Sequence, residues 1–286
     1  MQVSDSFILT VVCPDTVGIV AAVAGYLTTQ QCFIEESTHF GDADTGTFFM
    51  RTRFCPQGQP FSRTAFAAGF SEIGVRFGMD WHLYDTRVLP RVLIMVSKYD
   101  HCLNDLLYRF RTGALKMTIP AIVSNHMDLA GLASWHKVPY FHVPVSPDDR
   151  SVAEARLLEI AEDCRADLIV LARYMQIISP GLCAKYMGRI INIHHSFLPG
   201  FKGAKPYHEA HRRGVKLIGA TAHYVTADLD EGPIIEQAVE RADHTMSPDD
   251  LAAIGRDVEA LTLARAVKLQ LEHRVFVNGM KTVVLR

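Results

Sequence analysis

The sequence lacks the patterns that mark metal-cluster proteins, disulfide-stabilised domains and membrane proteins. Its 286 residues include six cysteines, which are scattered and form no C-x-x-C pair, so neither a zinc cage nor a disulfide framework is predicted. No stretch approaches the roughly 18 apolar residues of a membrane span. The apolar run near the N-terminus is broken at Pro14, too early for a signal peptide. We therefore expect free thiols in a reducing compartment, a cytoplasmic location and no membrane partner.

The sequence also lacks a marked excess of either positive or negative charge. The net charge is −2 and 21% of the residues are charged, and neither a basic surface nor an acidic tail stands out, so we expect no nucleic-acid partner. Hydrophobic residues make up 49% of the chain. A chain of this length can bury one large core or two ordinary ones. The composition by itself predicts a globular protein with an ordinary charged surface.

Residues 1–84 predict a unit with the order β-α-β-β-α-β. A short β-rich run at Phe7–Val12 precedes Gly18–Gln30, where apolar residues recur at helical spacing. Two strand-like runs then flank the turn-rich string Gly41–Gly46, which predicts a hairpin. A second amphipathic helix over Ser62–Phe77 and a short run at Asp80–Leu83 complete the order of a split ferredoxin-like unit.

After a connector at 85–91, the pattern over 92–286 changes to buried strands separated by helices. Val92–Val96 is continuously apolar, as expected for a strand covered on both faces. The alternation predicts a larger α/β domain with a mostly parallel, doubly wound sheet. Ser247-Pro248 predicts the start of a late helix, and Asn278-Gly279 predicts a final hairpin. The other predicted strands are Ala121–Val123, Tyr140–Val143, Leu168–Leu171 and Ile190–Ile193.

Asn192 and His194 are the first candidate reaction groups. They stand in a run that begins as an apolar strand and ends in a loop broken by Pro199. Side-chain alternation places both on one face, at the carboxyl end of the strand. An asparagine amide can donate to a developing oxyanion, and a histidine can carry a proton near neutral pH. Each residue taken alone is also typical of a satisfied polar group in a core.

Asp230 is the second candidate. It stands in a turn between two apolar runs, directly before Glu231-Gly232-Pro233. A carboxylate in such a place can orient or deprotonate a water molecule. An aspartate in a turn is equally typical of a cap that accepts from its own backbone, so both interpretations stay open for this residue alone.

The two segments together resemble the folate-dependent formyltransferases. The run NIHHSFLPGFKGAKPYHEA is similar to the N-x-H segment of that family, and GATAHYVTADLDEGPIIEQ is similar to its D-x-G turn about 35 residues later. The resemblance covers about residues 90–240. It implies a formyl-handling enzyme in which Asn192, His194 and Asp230 form the catalytic centre. We expect neither a metal nor another cofactor, because no cluster of histidines and carboxylates stands out as a ligand set.

The same resemblance predicts a folate pocket beside the strand Leu168–Leu171. In the family, the loop after this strand borders the pterin ring through backbone groups and apolar side chains. The corresponding folate-binding residues here are Met175, Gln176, Ile177 and Ile178. A loop that only packs on the core would have the same local pattern.

Three features favour the deformylases over the transferases of this family. A phosphate-bearing acceptor would favour a glycine-rich loop at a helix N-terminus, but Ser97–Leu103 contains no glycine. His195 directly follows His194, and this doubled histidine resembles the deformylases, which makes His195 a candidate for positioning water. The leading β-α-β-β-α-β unit resembles an ACT domain, and an ACT domain precedes the formyltransferase-like domain in the formyltetrahydrofolate deformylase family.

An ACT-like unit implies an amino-acid effector and self-association. Such units bind amino acids between paired subunits, and the turn Cys13–Ile19 is similar to their ligand-side turn. Asp15, Gly18 and Ile19 are therefore the predicted effector-binding residues. The resemblance implies glycine or methionine as the effector and a homo-oligomer, either a dimer or a tetramer.

These features imply an enzyme that hydrolyses its folate substrate, 10-formyltetrahydrofolate, to formate and tetrahydrofolate and so supplies formate to one-carbon and purine metabolism. Two alternatives stay open. A folate-dependent formyltransferase acting on a small amine would share the same reaction centre. An amino-acid-sensing regulatory protein with an inactive catalytic domain would share the fold, although the intact Asn192, His194 and Asp230 count against it.

Overall fold

The structure is a computed structural model that describes residues 6–57, 61–146, 150–198 and 206–286. The described residues form two compact units. The first comprises Met1–Leu89, His273–Phe276 and Val283–Arg286, and the second comprises Pro90–Glu272 and Val277–Thr282. Part of the sequence run that resembles the formyltransferases, residues 199–205, lies outside the described residues.

The first unit is a four-stranded antiparallel sheet with two helices. The strands lie in the order β2-β3-β1-β4, and each neighbouring pair is antiparallel. The predicted β-α-β-β-α-β order is confirmed. The elements are β1 (Phe7–Pro14), α1 (Ile19–Thr29), β2 (Cys32–Asp42), β3 (Thr47–Pro56), α2 (Arg63–Phe77) and β4 (Asp80–Asp85).

Side-chain alternation gives this sheet two buried apolar faces. Phe48 packs in the core that the helices cover, whereas the next residue, Phe49, points to the other face and packs with Phe276. The C-terminal segments His273–Phe276 and Val283–Arg286 belong to the first unit because they supply this second layer. The division expected from the sequence placed both segments in the second domain, since a pattern along the chain does not reveal which face a distant segment covers.

The second face also holds a buried ion pair. The side chain of Arg51 is 2% exposed, and its Nη1 lies 2.8 Å from Oε2 of Glu36. Arg274 donates to the other oxygen of Glu36 at 2.9 Å. Since a buried charge must be paired to avoid a large desolvation cost, this carboxylate fixes both guanidinium groups, and the two arginines hold the pKa of Glu36 below its usual value.

The second unit is built on a seven-stranded sheet in the order β11-β10-β9-β8-β5-β6-β7. The five strands from β9 to β7 are parallel, which confirms the predicted α/β architecture with a mostly parallel sheet. β10 and β11 add an antiparallel edge that the sequence patterns did not predict. The elements are β5 (Val92–Val96), α3 (His101–Arg111), β6 (Ile122–Ser124), α4 (Ala130–Trp135), β7 (Tyr140–His142), α5 (Arg150–Asp163), β8 (Leu168–Leu171), α6 (Pro180–Lys185), β9 (Ile190–His194), α7 (Pro206–Arg213), β10 (Leu217–Tyr224), β11 (Ile234–Arg241) and α8 (Pro248–Leu271), followed by the hairpin β12 (Val275–Asn278) and β13 (Lys281–Val284).

The central strands differ in what they bury. Every residue of β5 and β8 is buried and apolar, as expected for strands covered on both faces. β9 lies between β8 and β10 and is equally central, but it carries Asn192 and His194 at its end. A polar pair in an otherwise apolar buried strand costs desolvation energy unless each group has a partner.

The connection between β10 and β11 depends on Gly232. The amide of Tyr224 donates to the carbonyl of Pro233 at 2.9 Å, which draws the two ends of the turn together. A Cβ atom at Gly232 would overlap the carbonyl oxygen of Tyr224. Only glycine therefore lets the chain pass this closely, and the turn that carries Asp230 takes its shape from this approach.

Helix α8 starts as predicted. Ser247 is the N-cap, Pro248 is the first residue, and Ser247 and Asp250 form a reciprocal capping box. The helix buries a charged residue, Glu259, which is 1% exposed. Glu259 stands eight residues after the buried Leu251 and so shares its apolar stripe.

All six cysteines are free thiols, as predicted. They lie in both units, and four of them are buried. No helix in the described part of the chain has the length and apolar character needed to cross a membrane.

Gly232→Ala should destabilise the second unit by about 1–3 kcal/mol, because the added methyl group must displace the backbone of Tyr224. Urea unfolding measures the change in the free energy of unfolding. Gly131→Ala is the matched control, since a Cβ atom at that exposed helical position meets no atom within 4 Å; its effect should stay within about 0.5 kcal/mol. Equal stability of the two variants would contradict this account of the turn.

Candidate active site

A cavity of about 340 Å³ lies where β8 and β9 end and where β10 turns toward β11. Ligands of open α/β sheets bind beyond the carboxyl ends of the strands, and this volume suits a small-molecule site. Every residue predicted for the reaction centre and the folate pocket lines the cavity. Its lining residues are Leu171, Arg173, Tyr174, Met175, Gln176, Ile177, Ile178, Asn192, Ile193, His194, His195, His223, Val225, Thr226, Ala227, Leu229 and Asp230.

Four polar side chains meet in the wall of this cavity. Nδ1 of His194 lies 3.2 Å from Oδ2 of Asp230, and Nε2 of His223 lies 3.6 Å from the other carboxylate oxygen. Nδ2 of Asn192 lies 3.3 Å from Nε2 of His223. Asn192 and His223 stand opposite each other in the antiparallel pair β9 and β10, so the register of the sheet brings these groups together.

The backbone fixes the proton of His223. Its Nδ1 lies 2.9 Å from the carbonyl oxygen of Tyr224, which can only accept, so Nδ1 carries a proton. In the neutral ring, Nε2 then accepts from the amide of Asn192, and in the charged ring it donates toward the carboxylate of Asp230 instead. At most one N–H of that amide is satisfied by His223, and the second can face a ligand.

Asp230 is held in an unusual state by its surroundings. Its hydrogen bonds, first to His194 and then to His223, hold the pKa of the carboxyl well below its usual range, although burial acts in the opposite direction. The backbone of Asp230 has φ 56°, in the left-handed region that few non-glycine residues adopt and that asparagine and aspartate tolerate best. Such strained backbone is typical of functional sites.

His194 presents one nitrogen to the protein and leaves the other for a ligand. Its Nδ1 faces Asp230. Its Nε2 is buried, and it has no hydrogen-bond partner among the described residues. A buried polar atom without a partner is costly, and a bound substrate oxygen would satisfy it.

His195 lies beside a buried ion pair between residues far apart in the sequence, Arg173 and Glu259. Nη1 of Arg173 lies 2.7 Å from Nδ1 of His195, and Nε of Arg173 lies 3.4 Å from Oε2 of Glu259. The rings of His194 and His195 are stacked with centroids 4.9 Å apart. Thr221 of β10 holds the segment after His195, because its hydroxyl donates to the carbonyl of Ser196 at 3.0 Å.

The predicted folate-binding residues form another wall of the cavity. The hydroxyl of Ser97, directly after β5, accepts from the amide of Met175 at 2.9 Å, which fixes the loop after β8. Met175 and Ile177 are more than half exposed, whereas Ile178 is buried. Gln176 also lines the cavity. This wall therefore offers apolar side chains beside a fixed backbone.

The predicted effector residues lie in the first unit, around the start of α1. Gly18 is the N-cap of α1 and has φ 99°, a conformation that glycine adopts readily and other residues do not. The amide of Asp15 donates to the carbonyl of Gly46 at 2.8 Å. Asp15 and Gly18 are exposed, but the side chain of Ile19 is buried in the core at 1% exposure, so only its backbone can face the turn.

One group among the described residues could bring three metal ligands together: His101, Cys102 and Glu259. It does not suit a cation. Burial raises the pKa of the Cys102 thiol well above its ordinary value, and the guanidinium of Arg173 already lies against Glu259. Nε2 of His101 lies 2.8 Å from the same carboxylate. These contacts suit an internal ion pair at the first residue of α3.

Patterns in the sequence do not predict three functional candidates: His223, Arg173 and Glu259. Each gave a weak signal. His223 is a histidine within an apolar strand, Arg173 follows a buried strand almost directly, and Glu259 is a charge on the buried stripe of α8. None of these signals shows which distant side chain each residue meets, because that depends on the antiparallel pairing of β10 and on the packing of α8.

Comparison with known proteins agrees with this geometry. Residues 90–267 match the family model described as formyl transferase. Over 279 residues, the chain is 48% identical to a formyltetrahydrofolate deformylase of Corynebacterium sp. (strain P-1), with 98% of each chain covered. The chain belongs to the formyltetrahydrofolate deformylase family. The crystal structure of the formyltetrahydrofolate deformylase from Burkholderia mallei ATCC 23344 is 54% identical, with a TM-score of 0.94 over 99% of this chain and 100% of that one.

Transferases of the same fold are less similar. The crystal structure of glycinamide ribonucleotide transformylase 1 from Symbiobacterium toebii is 30% identical, with a TM-score of 0.64. It matches 69% of this chain and 95% of its own. The formyltetrahydrofolate deformylases match nearly the whole chain, whereas this transformylase leaves part of the chain unmatched.

His194→Gln should lower stability in a pH-dependent way. The folded-state pKa of Asp230 is depressed, so its hydrogen bonds stabilise the fold above the unfolded-state pKa of about 3.9, and this contribution is lost as pH falls below that value. The variant should therefore be less stable than the parent at pH 5, and the difference should shrink toward pH 3. Urea unfolding at several pH values measures it. A difference in the free energy of unfolding that stays constant from pH 5 to pH 3 would contradict a stabilising contact between His194 and Asp230.

Proposed function

We propose that the protein hydrolyses 10-formyltetrahydrofolate to formate and tetrahydrofolate, and so supplies formate to one-carbon and purine metabolism. The observation that carries this proposal is the cluster of Asn192, His194, His223 and Asp230 in the wall of one cavity. Membership of the formyltetrahydrofolate deformylase family supports the same reaction.

Attack on the formyl carbon needs a directed water and a stabilised oxyanion. Asp230 orients the water, or takes its proton directly or through His194. The free N–H of Asn192 and protonated Nε2 of His194 then hold the oxyanion of the tetrahedral intermediate. Cleavage of the bond between the formyl carbon and N10 of the folate releases formate, and a proton passes to N10. The balance is one water consumed for each formyl group released.

The remaining cavity residues bind the folate and the water in this proposal. The fixed backbone of the segment from Met175 to Ile178 pairs with the pterin ring, and the apolar side chains cover it. His195 helps to hold the attacking water. Support comes from the position of all these residues in the cavity wall. The chemistry calls for no metal ion, because two donors already face the site of the developing charge.

Water rather than an amine is the proposed acceptor. A helix N-terminus can hold the phosphate of a nucleotide acceptor, but the first residue of α3, His101, contacts the carboxylate of Glu259. The start of α3 is therefore taken up by an ion pair within the protein, which Arg173 also joins, rather than by groups arranged to hold a phosphate. This contact favours hydrolysis over the transferase alternative.

The first unit is proposed to be an ACT domain that binds glycine or methionine and pairs with a second copy in a homo-oligomer, either a dimer or a tetramer. Its β-α-β-β-α-β order and its sheet order support this assignment. The left-handed backbone of Gly18 at the start of α1 supports the effector site. Asp15 and the backbone of Ile19 would complete the site.

Purified protein mixed with 10-formyltetrahydrofolate alone should release formate without any added acceptor. Asn192→Ala should lower kcat by about 10²–10³, the usual effect of losing one oxyanion donor, and Asp230→Asn should nearly abolish turnover. Circular dichroism should show both variants folded. The assay measures formate and tetrahydrofolate together.

Matched controls separate the chemistry from nonspecific effects. Asp228→Asn removes an exposed carboxylate from the same turn, and Asn104→Ala removes an exposed amide from α3; both should keep kcat within about twofold, since neither residue lines the cavity. Formate that appears only when an amine is added would assign a transferase instead. An Asn192→Ala variant with unchanged kcat would refute the oxyanion role.

Gly18→Asp should abolish the response to the amino-acid effector while basal turnover remains. The substitution places a side chain at φ 99°, which costs about 1–2 kcal/mol of local strain, and adds a negative charge to the turn. Turnover and calorimetry with glycine and with methionine measure the response. Gly25→Ala, at an open position on α1, is the control. The effector proposal fails if the parent protein responds to neither amino acid.

A further inference from the structure

Glu259 is a buried carboxylate that takes no part in the proposed chemical steps. It belongs to α8 and is 1% exposed. Its two oxygens contact His101 at 2.8 Å, the hydroxyl of Tyr207 at 2.9 Å and the guanidinium of Arg173 at 3.4 Å. Three separate parts of the second unit therefore converge on the one negative charge that α8 supplies, and this convergence fixes Arg173.

Arg173 in turn determines the state of His195. A guanidinium has only donors, so the contact of 2.7 Å between Nη1 of Arg173 and Nδ1 of His195 requires a lone pair on that nitrogen. The ring proton of His195 must then be on Nε2. A protonated His195 would carry a hydrogen on Nδ1 that faces the guanidinium, and the contact would be lost.

The backbone of Arg173 is held in a conformation that residues other than glycine rarely adopt. Its φ is 63°, in the left-handed region that costs a non-glycine residue energy. The carbonyl of Arg173 accepts from the amide of Ser97 at 3.2 Å, and its guanidinium lies 5.5 Å from the ring centroid of Tyr99. Strain held in place by several contacts is typical of a functional position.

We propose that Arg173, held by Glu259, is a positioning residue that keeps His195 neutral with its proton on Nε2. This inference rests on the proposed function, in which His195 holds the attacking water. It leaves His194, beside Asp230, as the ring of the stacked pair that can carry a positive charge. The neutral His195 then offers an N–H to an oxygen atom in the cavity.

The charges around the pair support this assignment. His194 faces Asp230, and Asp230 also faces His223. His195 faces Arg173, with Glu259 and His101 beyond it. A proton on His195 would place a second cation against the guanidinium of Arg173, whose Nη1 lies 2.7 Å from Nδ1 of that ring. Like charges this close disfavour that protonation.

The test uses a variant that removes both charges of the ion pair, Arg173→Met with Glu259→Gln. No buried charge is left unpaired, and glutamine can still contact His101 and Tyr207. The pH profile of kcat in this variant should gain a loss of activity on the acid side, centred near the ordinary imidazole pKa of about 6.5. At pH 8.5, kcat should stay within about tenfold of the parent, because His195 is neutral there in both proteins.

Adding His195→Gln to that variant should remove the new acid-side loss, because no imidazole remains at the position to take up a proton. The matched control is Arg109→Met with Asp105→Asn, which removes an ion pair from α3 in the same unit. Its pH profile should equal that of the parent. An acid-side loss that persists after His195→Gln would overturn the proposal.

Nitrogen NMR of histidine-labelled protein tests the same state without any turnover. His195, assigned by comparison with His195→Gln, should show the tautomer with the proton on Nε2 from pH 5.5 to 8.5 in the parent. In the variant without the ion pair it should titrate. A parent His195 with its proton on Nδ1, or one that titrates near pH 6.5, would overturn the proposal, whereas absence of formate release with the expected NMR pattern would overturn the proposed function alone.

Discussion

The carboxylate of Asp230 is the charge around which the candidate reaction centre is arranged. It accepts from one imidazole at 3.2 Å and lies 3.6 Å from a second, and these contacts hold its pKa well below the usual range. Its position depends on backbone as much as on side-chain chemistry. The chain can place a carboxylate there only because Asp230 adopts a left-handed conformation and Gly232 lets the turn pass the carbonyl of Tyr224.

A second buried carboxylate, Glu259, organises the other side of the stacked histidines. Asp230 faces His194, whereas Glu259 reaches His195 through Arg173. In a low-dielectric interior each negative charge must have a partner close by. The stacked rings of His194 and His195 therefore have different surroundings, because one faces Asp230 and the other faces Arg173. Neighbouring titratable groups in different surroundings can take different roles.

Much of the fold could be predicted from patterns along the chain. Helix spacing, turn residues and the buried run Val92–Val96 predicted two α/β regions, and the capping residues Ser247 and Pro248 predicted the start of α8 correctly. The antiparallel edge formed by β10 and β11 was missed because a short apolar run such as β10 does not show which strand it pairs with, and because β11 mixes apolar and polar residues without clear alternation. The contribution of the C-terminal segments to the first unit was missed because the packing of Phe276 on Phe49 links residues far apart in sequence.

The sequence by itself determined which residue types stand at the ends of the strands: Asn192 and His194 after an apolar run, Asp230 before a glycine turn, and the loop from Met175 to Ile178. Local patterns carry that information, because alternation and turn chemistry depend on near neighbours. Only the tertiary structure decided that His223 faces Asn192 across two antiparallel strands, and that Glu259 reaches Arg173 from a helix that begins more than 70 residues later in the chain. Those contacts follow from strand register and helix packing, which residues close in sequence do not specify.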